Sequence, residues 1–273
     1  MFINRHPIVK MAYVPLLPAA LVFAFARLNS PTSGAFDRYI TLTEERFQTD
    51  LHSAQFLDID GQPQLLAKAR AGETLIQGRT TRDNGQDIKV PGGMIQDWQG
   101  TIFIPGATIP QVRAVLQDYE NYKDIYKPDV IDSKLLKRDG EECDIFLRLY
   151  KKQILTVVFN SEYHVKYGAI EPNRMYIVSH STRIAEVKNP KRSYTEELPP
   201  GDDTGLLWRL NSYWRMEEKD GGVYAECEAI SLSRDVPLGL GWMIGRFLER
   251  FPRDSMLNTL RSTRKAVEAR EAK

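Results

Sequence analysis

LLWRLNSYWRM (Leu206–Met216) and GVYAECEAISLS (Gly222–Ser233) decide how this chain is read. In the first stretch Leu206, Trp208, Leu210, Ser212, Trp214 and Met216 share one parity, and Arg209, Asn211 and Arg215 take the other. In the second, Val223, Ala225, Cys227 and Ala229 oppose Tyr224, Glu226 and Glu228. A period of two is the pattern of a β-strand with one apolar face, because successive side chains point to opposite sides of a sheet. Asp220-Gly221-Gly222 between them is a turn signal, so the two stretches pair as an antiparallel hairpin.

Working outward, four more segments have strand character: Val130–Lys137, Glu142–Tyr150, Ile154–Tyr167 and Arg174–Val187. Asp139-Gly140, Pro172-Asn173 and Pro199-Pro200-Gly201 punctuate them. Trp98–Ile104 is a further β run closed by Pro105-Gly106, and Pro110–Tyr122 is helical, with Val112, Val115, Leu116 and Tyr119 on one side. Strands joined by short turns imply an antiparallel meander with one apolar face and one wetted face. Glu226 and Glu228 then read as part of the solvated face.

The apolar face needs a cover. After Pro237, Leu240, Ile244, Phe247, Leu248 and Phe251 recur at helical spacing, and Met256, Leu257, Leu260 and Val267 continue the stripe. Pro252 is expected to kink or break that helix. The fold class is therefore α+β, a helix-grip arrangement in which a curved antiparallel sheet of about seven strands holds a long C-terminal helix. Residues 27–95 form an N-terminal extension. Within it Phe36–Leu51 is an amphipathic helix, and Glu73–Val90 holds two short strand-like runs around the Asp83-Asn84-Gly85 turn.

Residues 1–26 have a different character. Arg5 and Lys10 precede an uncharged apolar run from Met11 to Ala26 that ends in Ala24-Phe25-Ala26. This is the order of a secretory signal, and the run is shorter than the ~20 residues that cross a bilayer comfortably. Cleavage after Ala26, an uncleaved membrane anchor and a buried N-terminal helix are the three readings; the first two place the protein outside the cytoplasm or at a membrane. Asn29–Gly34 reads as a flexible exit.

With 37 basic and 36 acidic side chains the net charge is +1, so nothing marks a nucleic-acid surface. Cys143 and Cys227 belong to no metal or thioredoxin-type pair and sit on apolar strand faces, as small hydrophobes would, with a disulfide in an oxidising compartment as the alternative.

The phrases WQGTIFIPG (Trp98–Gly106), LQDYENY (Leu116–Tyr122) and ISLSRDVP (Ile230–Pro237), followed by the long helix, resemble the START-like or SRPBCC superfamily. The resemblance spans the domain at residues 96–270 and rests on the order of elements more than on any one residue. It implies a cavity between sheet and helix for a lipid-like, quinone-like or polyketide-like molecule. It also implies that a minority of such chains are cyclases or other enzymes, since fold alone does not fix function.

Candidate cavity residues are Leu147 and Leu149 on one strand; Trp208, Leu210, Ser212 and Trp214 on the next; and Ala225, Cys227 and Ala229 beside them. Trp242 and Phe247 come from the helical segment. For the aromatic residues, plain core packing is the competing reading. The small side chains at 225, 227 and 229 favour open space. His180, Arg183 and Ser212 are candidate head-group contacts, with an outward, solvated Arg183 as the alternative. No nucleophile elbow, metalloprotease or phosphate-loop motif is present, and no cofactor-binding motif is legible. The sequence thus points to an exported or membrane-anchored carrier or sensor of a hydrophobic small molecule. An SRPBCC-type cyclase or dehydratase is the alternative.

Overall fold

The computed structural model describes residues 28–152, 156–235 and 246–271, apart from the side chains of 246–249 and 271. Helix α1 (Ser30–Leu51) begins earlier than its apolar periodicity suggests, because Asn29 caps it by accepting the Thr32 N–H and Pro31 sits in the first turn. The expected flexible exit is thus the helix start. Helix α2 (Pro63–Arg70) and strand β1 (Leu75–Gly78) follow, then a small hairpin of β2 (Arg82–Asp83) and β3 (Gln86–Asp87). Its turn residues Asn84 and Gly85 have φ of 48° and 80°, the left-handed pair that an Asn-Gly turn supplies.

The main sheet contains β4 (Gly93–Pro105), β5 (Val130–Asp139), β6 (Glu142–Lys152), β7 (Thr156–Glu171), β8 (Arg174–Glu186), β9 (Arg209–Lys219) and β10 (Gly222–Arg234). Between β4 and β5 lie α3 (Ile109–Leu116), a 3₁₀ turn at Tyr119–Asn121 and α4 (Tyr122–Ile125). Strand order is β1-β4-β10-β9-β8-β7-β6-β5, and every pairing is antiparallel. β1 from the N-terminal extension makes the eighth strand. The meander from β5 to β10 closes back onto β4, which places the first long strand beside the last.

Helix α5 (Arg246–Glu271) runs through Pro252 without a break and packs on β4, β10, β1 and α3. Neighbouring helix and sheet packing offsets the one hydrogen bond that a proline removes. Leu260 lies against Gly100, where a side chain on β4 would collide with it. Gly100 therefore sets how closely helix and sheet approach. The core on this face gathers Ile102, Ile104, Val112, Val115, Met216, Val223 and Leu260.

The opposite face is wetted across β6 and β7, where Asp144, Glu162, His164 and Lys166 reach solvent, but it is covered on β4 and β8–β10. A second core of Phe36, Phe47, Leu51, Phe56 and Leu57 packs on Phe103, Tyr213, Tyr224, Ile230 and Leu232. Over that part the sheet is a middle layer between α5 and the N-terminal extension. Glu226 and Glu228 point away from α5 as their parity requires, yet they are buried under that extension. Glu226 pairs with Arg215, and Glu228 with Arg46. A charged strand face reads as solvated only until a distant segment of the chain supplies its counter-charges.

Candidate functional site

Between the sheet, α5 and the Tyr119–Ile125 region lies a cavity of about 270 Å³, close to the ~300 Å³ lower bound for small-molecule sites. Strand register explains the space. Ser179 of β8 faces Ser212 of β9, and Ser212 faces Ala229 of β10, so three small residues form a belt across the sheet. The next row inward carries Ile177, Trp214 and Cys227 in register, and this row closes the deep end.

Tyrosines line the inner end as well: Tyr167 of β7 continues that row beside Ile177, and the hydroxyls of Tyr119, Tyr122, Tyr126 and Tyr167 are satisfied by the protein, whereas the buried Tyr163 Oη has no partner among the described residues. Cys143 Sγ donates to Tyr119 Oη at 3.4 Å, the Tyr119 and Tyr167 hydroxyls bond to each other, and Tyr167 Oη donates to the Leu116 carbonyl at 2.9 Å. Tyr122 donates to the same carbonyl at 2.5 Å, and Tyr126 meets Thr263 of α5 at 3.1 Å. Burial pushes the Tyr126 and Tyr163 phenols up to about 12, and Tyr119 and Tyr167 rise too, so the wall is neutral. At the outer end Lys151 forms an ion pair with Asp129, and its Nζ lies 4.8 Å from the centre of the Phe251 ring. Burial lowers the Lys151 pKa, with Asp129 pulling it back.

Of the residues singled out by alternation, Leu147, Leu149, Leu210, Ser212, Trp214, Cys227 and Ala229 share this one cavity wall. Ala225 has the right parity but lies fully buried in the packed core, paired across to Ile102 and Met216. Trp208 precedes β9 and packs toward the N-terminal layer, with its indole N–H donating to Asp203 Oδ1 at 3.0 Å. Alternation holds only within β9, and Trp208 lies one residue before its start. His180 faces the other side of the sheet and bonds Glu44 of α1 at 2.7 Å. Arg183 follows a β-bulge in β8 and forms exposed ion pairs with Glu197 and Glu162. Neither reaches the cavity. Trp242 and the Phe247 side chain lie outside the described residues. The tyrosines and the Lys151–Asp129 pair were missed; the clustering of Tyr119, Tyr122 and Tyr126 within two turns was the available signal.

Cys143 and Cys227 are free and buried. Among the described residues no cluster of metal-ligating side chains occurs.

Sheet order, covering helix and enclosed cavity make this a helix-grip chain, the class to which START-like proteins belong. No family model and no curated protein matches it. Solved structures similar to it include the STAR-related lipid transfer protein of Xanthomonas axonopodis, at 17% identity and a TM-score of 0.45, covering 70% of this chain and 98% of that one. The Zhui aromatase/cyclase of Streptomyces sp. R1128 is similar at 14% identity and TM-score 0.44, covering 65% and 96%. Human STARD10 is similar at 12% identity and TM-score 0.44, covering 81% and 85%.

Proposed function

We propose that this chain binds a hydrophobic small molecule in the cavity between sheet and α5, as a carrier or sensor. The observation that supports this reading best is the wall itself: a belt of small residues leaves room, apolar side chains surround it, and the hydroxyls of Tyr119, Tyr122, Tyr126 and Tyr167 already have protein partners. Such a wall favours an apolar body and offers little to drive bond-making chemistry. The segment Met11–Ala26 supports delivery outside the cytoplasm, by release after Ala26 or by retention at a membrane.

Native mass spectrometry of protein purified from its host, followed by titration with a fluorescent fatty-acid or quinone analogue, tests the binding reading. A bound apolar species and saturable uptake of the probe are expected. An empty protein that takes up neither probe would reject the reading, and turnover of a polyketide-like substrate would replace it with catalysis.

A further inference from the structure

Tyr163 stands midway along β7 between Tyr167 at the deep end of the cavity and Phe159 toward its outer end, and all three line the space. Its register partners are Ile145 on β6 and Ser181 on β8. The side chain is only 4% exposed, yet no group among the described residues bonds its hydroxyl. Its two hydroxyl neighbours in the sheet are engaged elsewhere. Ser161 donates to the Leu147 carbonyl at 2.8 Å, and Ser181 accepts from the Leu210 N–H at 3.0 Å. The other four tyrosines of this cavity each have a protein partner, so Tyr163 is the exception among them.

A buried hydroxyl without a partner is costly, and native structures keep few of them. Burial raises the Tyr163 pKa to about 12, against a smaller downward pull from Ser161, so the phenol carries its proton at neutral pH. It is a donor facing an apolar space. Lys151 is the one cation lining that space among the described residues, and Asp129 engages it. It lies six residues beyond Ile145 on β6, roughly 20 Å along the strand. A carboxylate or phosphate beside Tyr163 would therefore be a buried charge without a counter-ion. An uncharged oxygen avoids that cost. Ser179 and Ser212, one row deeper, add two more hydroxyls to the same sheet wall.

We infer that Tyr163 determines ligand specificity by donating to an uncharged oxygen, a ketone or quinone carbonyl, in the middle of the ligand's body. The inference rests on the binding reading and narrows it, because a plain acyl chain with a terminal carboxylate has no group for this donor. A site that hydrogen-bonds its ligand discriminates against an analogue lacking the oxygen, since the buried donor is then left unpaired.

Fluorenone and fluorene are flat probes that differ by one carbonyl, and equilibrium dialysis of the full chain against each provides the test. Tyr163→Phe keeps the ring and removes only the hydroxyl. It should weaken fluorenone binding about three- to tenfold, the net effect of one hydrogen bond, and leave fluorene binding unchanged. The carbonyl stretch of bound fluorenone should lie at lower frequency in the wild-type protein than in Tyr163→Phe. Tyr126→Phe, whose hydroxyl already meets Thr263, should leave that frequency where it is. Without probe, Tyr163→Phe should melt at the wild-type temperature or above it, because no bond within the protein is lost. A lower melting temperature would give the hydroxyl a protein partner and overturn the inference. Equal losses for both probes, or a carbonyl frequency that Tyr163→Phe does not move, also overturn it while the binding reading stands. Uptake of neither probe by the wild-type protein overturns both together.

Discussion

Arg215 Nη2 lies 2.6 Å from Glu226 Oε1 on the sheet face turned away from the cavity, and both side chains are sealed beneath the N-terminal extension. Asp58 and Asp50 reach the same guanidinium at 2.7 and 2.9 Å, from positions more than 150 residues away in sequence. The extension is thus fastened to the sheet by charge as well as by the Phe36–Leu57 core. Removing one partner of a buried pair leaves the other uncompensated, at a cost of about 3–5 kcal/mol. Arg215→Met should lose about that much in urea unfolding. Arg215→Met with Glu226→Gln should lose less than the sum of the single changes, because the second change removes a stranded charge. Strict additivity would mean that the pair does not interact.

Asp97 belongs to the same layer, accepting from Tyr39 Oη at 2.8 Å and facing Glu228, Arg46 and Arg79. Burial and the Glu228 charge push its carboxyl up to about 8, with Tyr39, Arg46 and Arg79 pulling the other way. Burial also pushes Glu226 up to about 7 against the pull of Arg215. A carboxyl whose folded pKa is raised gives stability that is complete below its unfolded pKa and is lost as pH rises through the folded value. Glu44 and Asp58 are shifted downward, Glu44 mainly by its bond to His180 and Asp58 by Arg79 and Arg215 against the cost of burial. Their contribution is present above the unfolded pKa and lost as pH falls below about 4. Urea unfolding should therefore show stability falling by roughly 2–5 kcal/mol between about pH 5 and about pH 9. Asp97→Asn should flatten that slope, and an unchanged slope in this variant would assign the effect to other groups.

The meander and the cavity wall were legible because parity is a local property. Seven cavity-wall residues follow from alternation in β6, β9 and β10 alone. The same alternation also selects Ala225 and Trp208, whereas His180 is singled out by its polarity and the parity of β8 already places it on the other face. Ala225 is packed into the core beside Ile102 and Met216, α1 supplies the partner of His180, and β9 starts only at Arg209. The ion-paired layer was the least legible part. Arg215, Glu226 and Glu228 alternate as a solvated face does, and their burial depends on Asp58, 168 residues from Glu226. A charge pattern states which face a residue takes, not what lies on that face.

Gly100 has a role that no periodicity reveals. A Cβ there would run into Leu260 Cδ1 and crowd Ile76, so β4 meets α5 without a side chain between them. Gly100→Ala should cost about 1–3 kcal/mol as an overpacking change. Leu260→Ala, which empties the same contact, should cost about 2–5 kcal/mol. If the two changes combined in one chain cost less than their sum, the contact is confirmed as shared. A stability-neutral Gly100→Ala would show that α5 moves away freely.

Ala225 and Ala229 lie on the same strand and the same face, and the structure gives them opposite fates. Ala229 borders the cavity beside Ser212, whereas Ala225 is wedged between Ile102 and Met216 with no space around it. A ring added at 225 has nowhere to go, so Ala225→Phe should destabilise by about 1–3 kcal/mol or more. A ring added at 229 enters the cavity, where it replaces empty space with contacts. Ala229→Phe should therefore leave the unfolding midpoint nearly unchanged while abolishing uptake of the fluorescent probe. Ser212→Phe, which enters the same space from β9, should behave alike. The contrast isolates the cavity from general core damage, because chemically identical changes four residues apart are compared. If 225 and 229 are equally damaging, the space at 229 is packed rather than open. If Ala229→Phe folds normally and still takes up the probe, the ligand lies elsewhere on the protein.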